Sequence, residues 1–237
     1  FVSAMCLAGE AQRTSSWPTG SVERPYGPGR GEVVRRGEQT RDRLLATAEA
    51  LILRHGYAGM SLDELLRASG LTKGAFFHHF ASKAELARAV LERYAEADLA
   101  LFQGWSAQAD RLSDDPLERV LIFLRLFEEH LDALAEPPAG CVLASFTYER
   151  AQFDPEVHAI IRERLADWQS VYEAKLAALI AERPPVVAVT AGELAEMIVT
   201  LIEGAFITGN IRGDARLLQR QSRQFRLHLE LLFRPGR

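Results

Sequence analysis

Between Thr40 and Leu86 the apolar residues fall at helical spacing, interrupted at short intervals by glycines and capping residues, and this narrows the possible folds more than any other feature. Behind Thr40, a residue suited to cap a helix, Leu44, Leu45, Ala48, Leu51 and Ile52 recur at i, i+1, i+4, i+7 and i+8 until Gly56 stops the pattern. Ser61-Leu62-Asp63-Glu64 is a capping box opening a second short helix, which Gly70 ends. Thr72 caps a third, running to Phe80; Ser82-Lys83-Ala84-Glu85 is another box, opening a long helix to about Gly104. Helices over 40–56, 61–69 and 72–80 have the size and tight connections of a helix-turn-helix module.

Helical periodicity continues over 116–135, 140–151, 155–182, 190–211 and 214–233, broken by Asp114-Asp115-Pro116, Pro137-Pro138-Ala139-Gly140, Asp154-Pro155, Pro184-Pro185 and Gly213-Asp214. Val186-Val187-Ala188-Val189 is the single β-like string and has nothing to pair with, so the fold class is all-α. Residues 1–37 are rich in Gly, Pro, Ser and Arg without hydrophobic period and read as a disordered extension. The expected organisation is this extension (1–37), a helix-turn-helix domain (38–85) and a second helical domain (86–237).

The net charge of -4 argues against a nucleic-acid binder until it is divided. Residues 35–85 hold eight basic and six acidic side chains; residues 86–237 hold seventeen and twenty-three. The positive excess lies with the helix-turn-helix pattern. No apolar run approaches the roughly 18–20 residues of a membrane span, and the N-terminal residues lack the pattern of a signal peptide. With two cysteines there is no disulfide framework, and a cytoplasmic location without membrane contact is expected.

Gly56-Tyr57, Ser61-Leu62-Asp63-Glu64-Leu65, the run from Ser69 to Phe80, Lys83 and Glu85-Leu86 together resemble the DNA-binding domain of the TetR/AcrR family of bacterial repressors. The resemblance covers about 50 residues and matches in the turn, the recognition helix and the start of the next helix; beyond them only the helical character is similar. It departs at Leu66, where the family usually has a small residue, and at Phe77, where it usually has Tyr. It implies contacts to the DNA backbone from Ser61, Thr72, His79 and Lys83, and contacts in or beside the major groove from Lys73, Gly74, Ala75, Phe77 and His78. Phe76 and Phe80, one turn apart, read instead as core residues.

The other chemistry in the chain is sparse. His78 and His79 point about 100° apart on a helix and make a poor metal pair; no metal, cofactor or catalytic set is expected, and the chain does not read as an enzyme. Phe123, Phe127, His130, Phe146, Trp168 and Tyr172 fall in the second domain, where the resemblance implies a cavity, and suit a small apolar or aromatic effector. The last two helices are apolar on more than one face; the resemblance implies a homodimeric four-helix bundle, with Leu201, Ala205, Phe225 and Leu229 as interface candidates. The implied function is a ligand-responsive, sequence-specific repressor acting as a homodimer on pseudo-palindromic double-stranded operator DNA. The alternative is a helical small-molecule-binding or adaptor dimer without DNA binding.

Overall fold

The computed structural model describes residues 30–134 and 140–234, all helix and connection with no strand among them. In chain order the helices are α1 (Arg30–Gly59), α2 (Leu62–Ser69), α3 (Lys73–His79), α4 (Lys83–Leu112), α5 (Pro116–Ala133), α6 (Val142–Tyr148), α7 (Pro155–Glu182), α8 (Ala191–Arg212) and α9 (Leu217–Leu232), with a 3-10 turn at Arg150–Gln152. The expected disordered extension lies outside the described residues up to residue 29. From Arg30 the chain is already helical, ten residues ahead of the Thr40 start, because the apolar period that marks a helix in sequence begins only at Leu44. The Pro137-Pro138 break also lies outside the described residues.

Helices α1 to α3 close over Leu44, Leu45, Ile52, Leu65, Phe76 and Phe80, all buried, and the first turns of α4 seal this small core with Leu86, Ala87 and Val90. Helix α4 then runs on to Leu112 instead of stopping near Gly104. A Cβ at Gly104 would meet nothing within 4 Å, and Trp105 and Ala109 keep the apolar stripe going beyond it. At about 1.5 Å per residue α4 is roughly 45 Å long, so one helix serves both halves of the molecule.

In the second half α4 packs with α5 and α7 around Phe102, and α8 and α9 complete the layer. Ion pairs pin the seams: Lys175 to Asp110 between α7 and α4 at 2.7 Å, and Arg183 to Asp115 between α7 and the α5 cap at 2.6 Å. Between α5 and α9, Glu128 accepts from Ser222 Oγ at 2.8 Å and from Arg226 Nε and Nη2 at 2.9 and 2.8 Å. Val186 to Val189 form the connection into α8, and the Val186 N–H donates to the Leu232 carbonyl at 2.8 Å.

The two-sided apolar character of α8 resolves into an inner and an outer face. Leu194, Ile198, Ile202 and Phe206 are buried, whereas Met197, Ile207 and Ile211 are exposed, Ile211 at 80%. Ala205, Phe225 (1% exposed) and Leu229 (0%), expected at a subunit interface, instead belong to the inner core; Leu201 is half-buried. On α9 the outward apolar residues are Leu227 and Leu231. Ala191–Arg212 is long and apolar enough, by length and composition, to cross a membrane, although no unbroken apolar run announces it; the composition serves a helix with packing partners on one side and an apolar face on the other.

The Glu128 cluster is the most stringent polar contact in this layer, since the side chains of Arg226 and Glu128 are only 14% and 10% exposed. Truncating one partner of a buried pair strands the other charge at a cost of about 3–5 kcal/mol. Arg226→Ala is therefore expected to lower unfolding free energy by that order in urea titration. Arg220→Ala, which removes a solvent-screened pair with Asp214, should leave it nearly unchanged.

Candidate nucleic-acid interface

The helix-turn-helix is set by local chemistry. Ser61 Oγ accepts from the Glu64 N–H at 3.1 Å and Thr72 Oγ1 from the Ala75 N–H at 3.2 Å, so each hydroxyl caps a helix and keeps its own proton to donate outward. Between them Gly70 takes φ 62° and ψ 28°, and Leu71 N–H returns to the Leu66 carbonyl at 3.1 Å. A side chain at Gly70 is opposed by the positive φ; the nearest atom to a Cβ there, at 2.9 Å, is the tip of the flexible Arg43 guanidinium, which can move aside. Leu66 is half-buried against the core.

Helix α3 divides as its spacing predicts. Phe76 and Phe80 are buried with ring centroids 6.0 Å apart and anchor the helix. Lys73, Gly74, Phe77 and His78 are exposed at i, i+1, i+4 and i+5 and form one outward face; Ala75 and His79 are half-buried beside it. Phe77 is 49% exposed, an unusual position for a large ring, with Lys73 Nζ 5.9 Å from its centroid. The His79 imidazole is held below its ordinary range by burial, then by His78 and Arg41. A face with one ammonium, a backbone free of Cβ at Gly74, and an apolar ring suits close approach to a duplex.

Lys83 is differently placed. Its Nζ donates to the Tyr57 carbonyl at 2.6 Å and sits 4.2 Å from the Tyr57 ring centroid, and burial pulls its pKa down, partly countered by Glu149. With three donors, the ammonium can reach outward only while tethered to the end of α1.

That tether is one strand of a joint that the sequence did not announce. Gly56 breaks α1 at φ 74° and ψ 168°, and the Ala58 N–H just beyond donates to Glu149 Oε2 at 2.7 Å. Glu149 stands at the end of α6, so the second domain fastens the last turn of α1. Phe146, expected at an effector cavity, lies here instead: it stacks on Phe153 at 4.8 Å, and Tyr57 meets Phe153 at 4.6 Å. Deeper in, Arg93 of α4 pairs with the fully buried Glu49 of α1 at 2.7 Å. Burial nonetheless raises the Glu49 carboxyl above the ordinary range.

The other expected effector residues do gather. Phe123, Phe127, Trp168 and Tyr172 surround Phe102 with centroids 5.3 to 6.0 Å from it, and His130 lies 5.3 Å from Trp105. They are packed ring against ring, however, rather than around a void; the slot that reaches Trp168 holds about 10 Å³. A larger cleft of about 280 Å³ lies at the α8–α9 turn, between Leu131, Phe206, Asn210 and Gln219. Among the described residues no group of three or more His, Cys, Asp or Glu side chains is arranged to hold a metal.

Comparison with known proteins gives this architecture its family. Residues 44–90 match the model for bacterial regulatory proteins of the tetR family, and residues 116–224 match the LmrA/YxaF-like C-terminal domain of transcriptional regulators. The chain belongs to the TetR family of transcriptional regulators. It is similar to the HTH-type transcriptional repressor NemR of Escherichia coli, 49% identical over 55 residues, which are 23% of this chain and 28% of that protein. The match to this curated relative thus spans under a third of its length. A TetR transcriptional regulator from Chloroflexus aurantiacus has the same fold over 85% of this chain and all of its own, at 26% identity and TM-score 0.69. The reduced form of E. coli NemR shares the fold at 22% identity over 79% of this chain and 95% of its own, with TM-score 0.64.

Two glycines in this region separate fold from surface. A side chain at Gly56 would carry a positive φ and collide with Glu149 Oε1, whereas one at Gly74 would meet nothing nearer than Thr72 Oγ1 at 3.9 Å. Gly56→Ala is expected to cost about 1–2 kcal/mol or more. Gly74→Ala should leave stability unchanged or raise it by up to about 1 kcal/mol; thermal melts of the two variants check this.

Proposed function

We propose that this protein is a ligand-responsive repressor that binds a pseudo-palindromic operator as a homodimer in the cytoplasm. The observation that carries the reading is the outward face of α3, where Lys73, Gly74, Phe77 and His78 stand together on a helix anchored by Phe76 and Phe80. Ser61, Thr72, His79 and Lys83 would hold the phosphates on either side, and Ala75 would lie at the groove edge. Phe77 has no hydroxyl for a phosphate, so its part is apolar contact with sugar or a thymine methyl.

A dimer brings two such faces to successive major grooves about 34–36 Å apart or somewhat more. The exposed apolar residues Met197, Ile207 and Ile211 of α8 and Leu227 and Leu231 of α9 supply a partner surface. Of the four interface candidates on these helices, only Leu201 remains one.

Release from DNA requires the second domain to move the first. Glu149 on Ala58, the Tyr57–Phe153–Phe146 rings, and Arg93 on Glu49 are the rigid connections through which a shift of α4 or α6 would tilt α3. The effector would enter among the buried aromatics and polar groups around Phe102, and closed packing there means that it must part α4 from α7 to do so. That opening is what would make its binding felt at the DNA.

A gel shift with DNA from upstream of the protein's own gene tests the repressor reading against the adaptor reading. Sequence-specific retardation at moderate salt supports the first; no retardation at any salt overturns it. Lys73→Ala is expected to weaken binding and relax the sequence preference at the position it reads. If affinity and sequence preference stay unchanged, α3 does not read DNA in this pose. Ile207→Glu puts a charge in the proposed subunit interface and should give monomers by light scattering, whereas Phe225→Glu should unfold the chain; a dimeric Ile207→Glu protein would place the interface elsewhere.

A further inference from the structure

Helix α3 turns a large apolar ring outward, and the residues around it decide what that ring can meet. At about 100° per residue, the exposed side chains of α3 follow one another around the axis as Lys73, Phe77, Gly74 and His78. The buried Phe76 and Phe80 and the half-buried Ala75 and His79 occupy the rest of the circle. Phe77 and Gly74 are therefore the inner pair of the outward face, and Lys73 and His78 stand at its borders. The ring is seated from beneath. Phe76, itself fully buried, meets it edge to face with centroids 5.1 Å apart and planes at 87°.

A phenyl ring gains from leaving water for an apolar partner, and duplex DNA offers few of these. Phosphates call for hydrogen-bond donors, which the ring lacks. Sugars stand with the phosphates at the groove walls, nearer to the borders of the face than to its middle. On the floor of the major groove every base pair presents donors and acceptors, and the one apolar group among them is the C5-methyl of thymine. Gly74 brings the ring within reach of that floor. A Cβ there would meet nothing nearer than Thr72 Oγ1 at 3.9 Å, so the protein's own packing does not call for a glycine. Alanine would suit the helix better. What the missing side chain does allow is a closer approach of the backbone to a partner outside, directly beside Phe77.

We propose that Phe77 is a specificity-determining residue: it reads the 5-methyl group of one thymine in each half-site, so that the protein tells this base from cytosine and from uracil. This rests on reading α3 as the element that enters the major groove. Lys73 and Phe77 then complement each other one turn apart, with the ammonium 5.9 Å from the ring centroid. The first seeks the acceptors of guanine and the second the methyl of thymine.

Removing the methyl alone tests this. Duplexes retained by the full-length protein are selected from random-sequence DNA, and the consensus is resynthesised with deoxyuridine in place of each thymine in turn. The exchange deletes the methyl and keeps the base pairing. One thymine per half-site is expected to depend on its methyl: the exchange there weakens binding about fourfold, the worth of one buried methyl, and about fifteenfold when made in both half-sites. Phe77→Ala should bind thymine and deoxyuridine duplexes equally. The comparison is made at low salt, where phosphate contacts keep a weakened variant measurable. Unchanged wild-type affinity across the whole deoxyuridine series, or a Phe77→Ala variant that discriminates as the wild type does, overturns the proposal. If no sequence is enriched at all, the repressor reading fails and takes this role of Phe77 with it. If a consensus emerges in which no thymine depends on its methyl, the repressor reading stands and only the role of Phe77 falls.

Discussion

The rest of the structure depends on the burial of α4 in two cores, one at its start and one past its middle. Its first turns close the small core beneath the helix-turn-helix through Leu86, Ala87 and Val90, and its middle carries Phe102 into the centre of the second domain. Neither half has a core without it. A helix is stiff along its axis, so a displacement imposed at Phe102 is delivered to Leu86 rather than absorbed.

The contacts that flank α4 determine what that displacement does. Arg93 ties it to Glu49 in the middle of α1, and Arg88 reaches Asp154 and Glu156 at the start of α7. The first is buried and short; the second is exposed and screened, and contributes little. The end of α1 is held by α6 through Glu149. Two grips on α1, one from each direction, make its orientation a readout of how α4 and α6 stand relative to each other.

The parts of this design that depend on neighbours in sequence are legible there. Ser61, Gly70 and Thr72 act within four residues of themselves, so capping and turn chemistry locate the helix-turn-helix, and the i, i+4 spacing of Phe76 and Phe80 is enough to assign both to the core. Features that depend on distant partners are not legible. Ala58 and Glu149 are 91 residues apart, and nothing near either predicts the other; for the same reason Phe146 reads with the effector residues although it belongs to the joint. On α8 and α9 the sequence reveals two apolar faces but not which turns inward, because α5 and α7 make that choice. Phe225 and Leu229 go to the core and leave Leu227 and Leu231 outside. Gly104 misleads in the opposite sense: a glycine ends a helix only where the backbone can turn left-handed, and here the stripe through Trp105 and Ala109 carries α4 onward.

The outer face of α8 also bears on how the chain fares while it is being made. Met197, Ile207 and Ile211 leave the ribosome after every helix that could shield them except α9, and α9 leaves them exposed, as it does its own Leu227 and Leu231. In the homodimer proposed above, a folded single chain would stay sticky until it met a second copy. At low expression that wait lengthens, and chaperones and proteases compete for the naked face. The amount of active protein should then fall more steeply than the rate of synthesis, giving the cell a threshold that no contact with DNA or effector supplies.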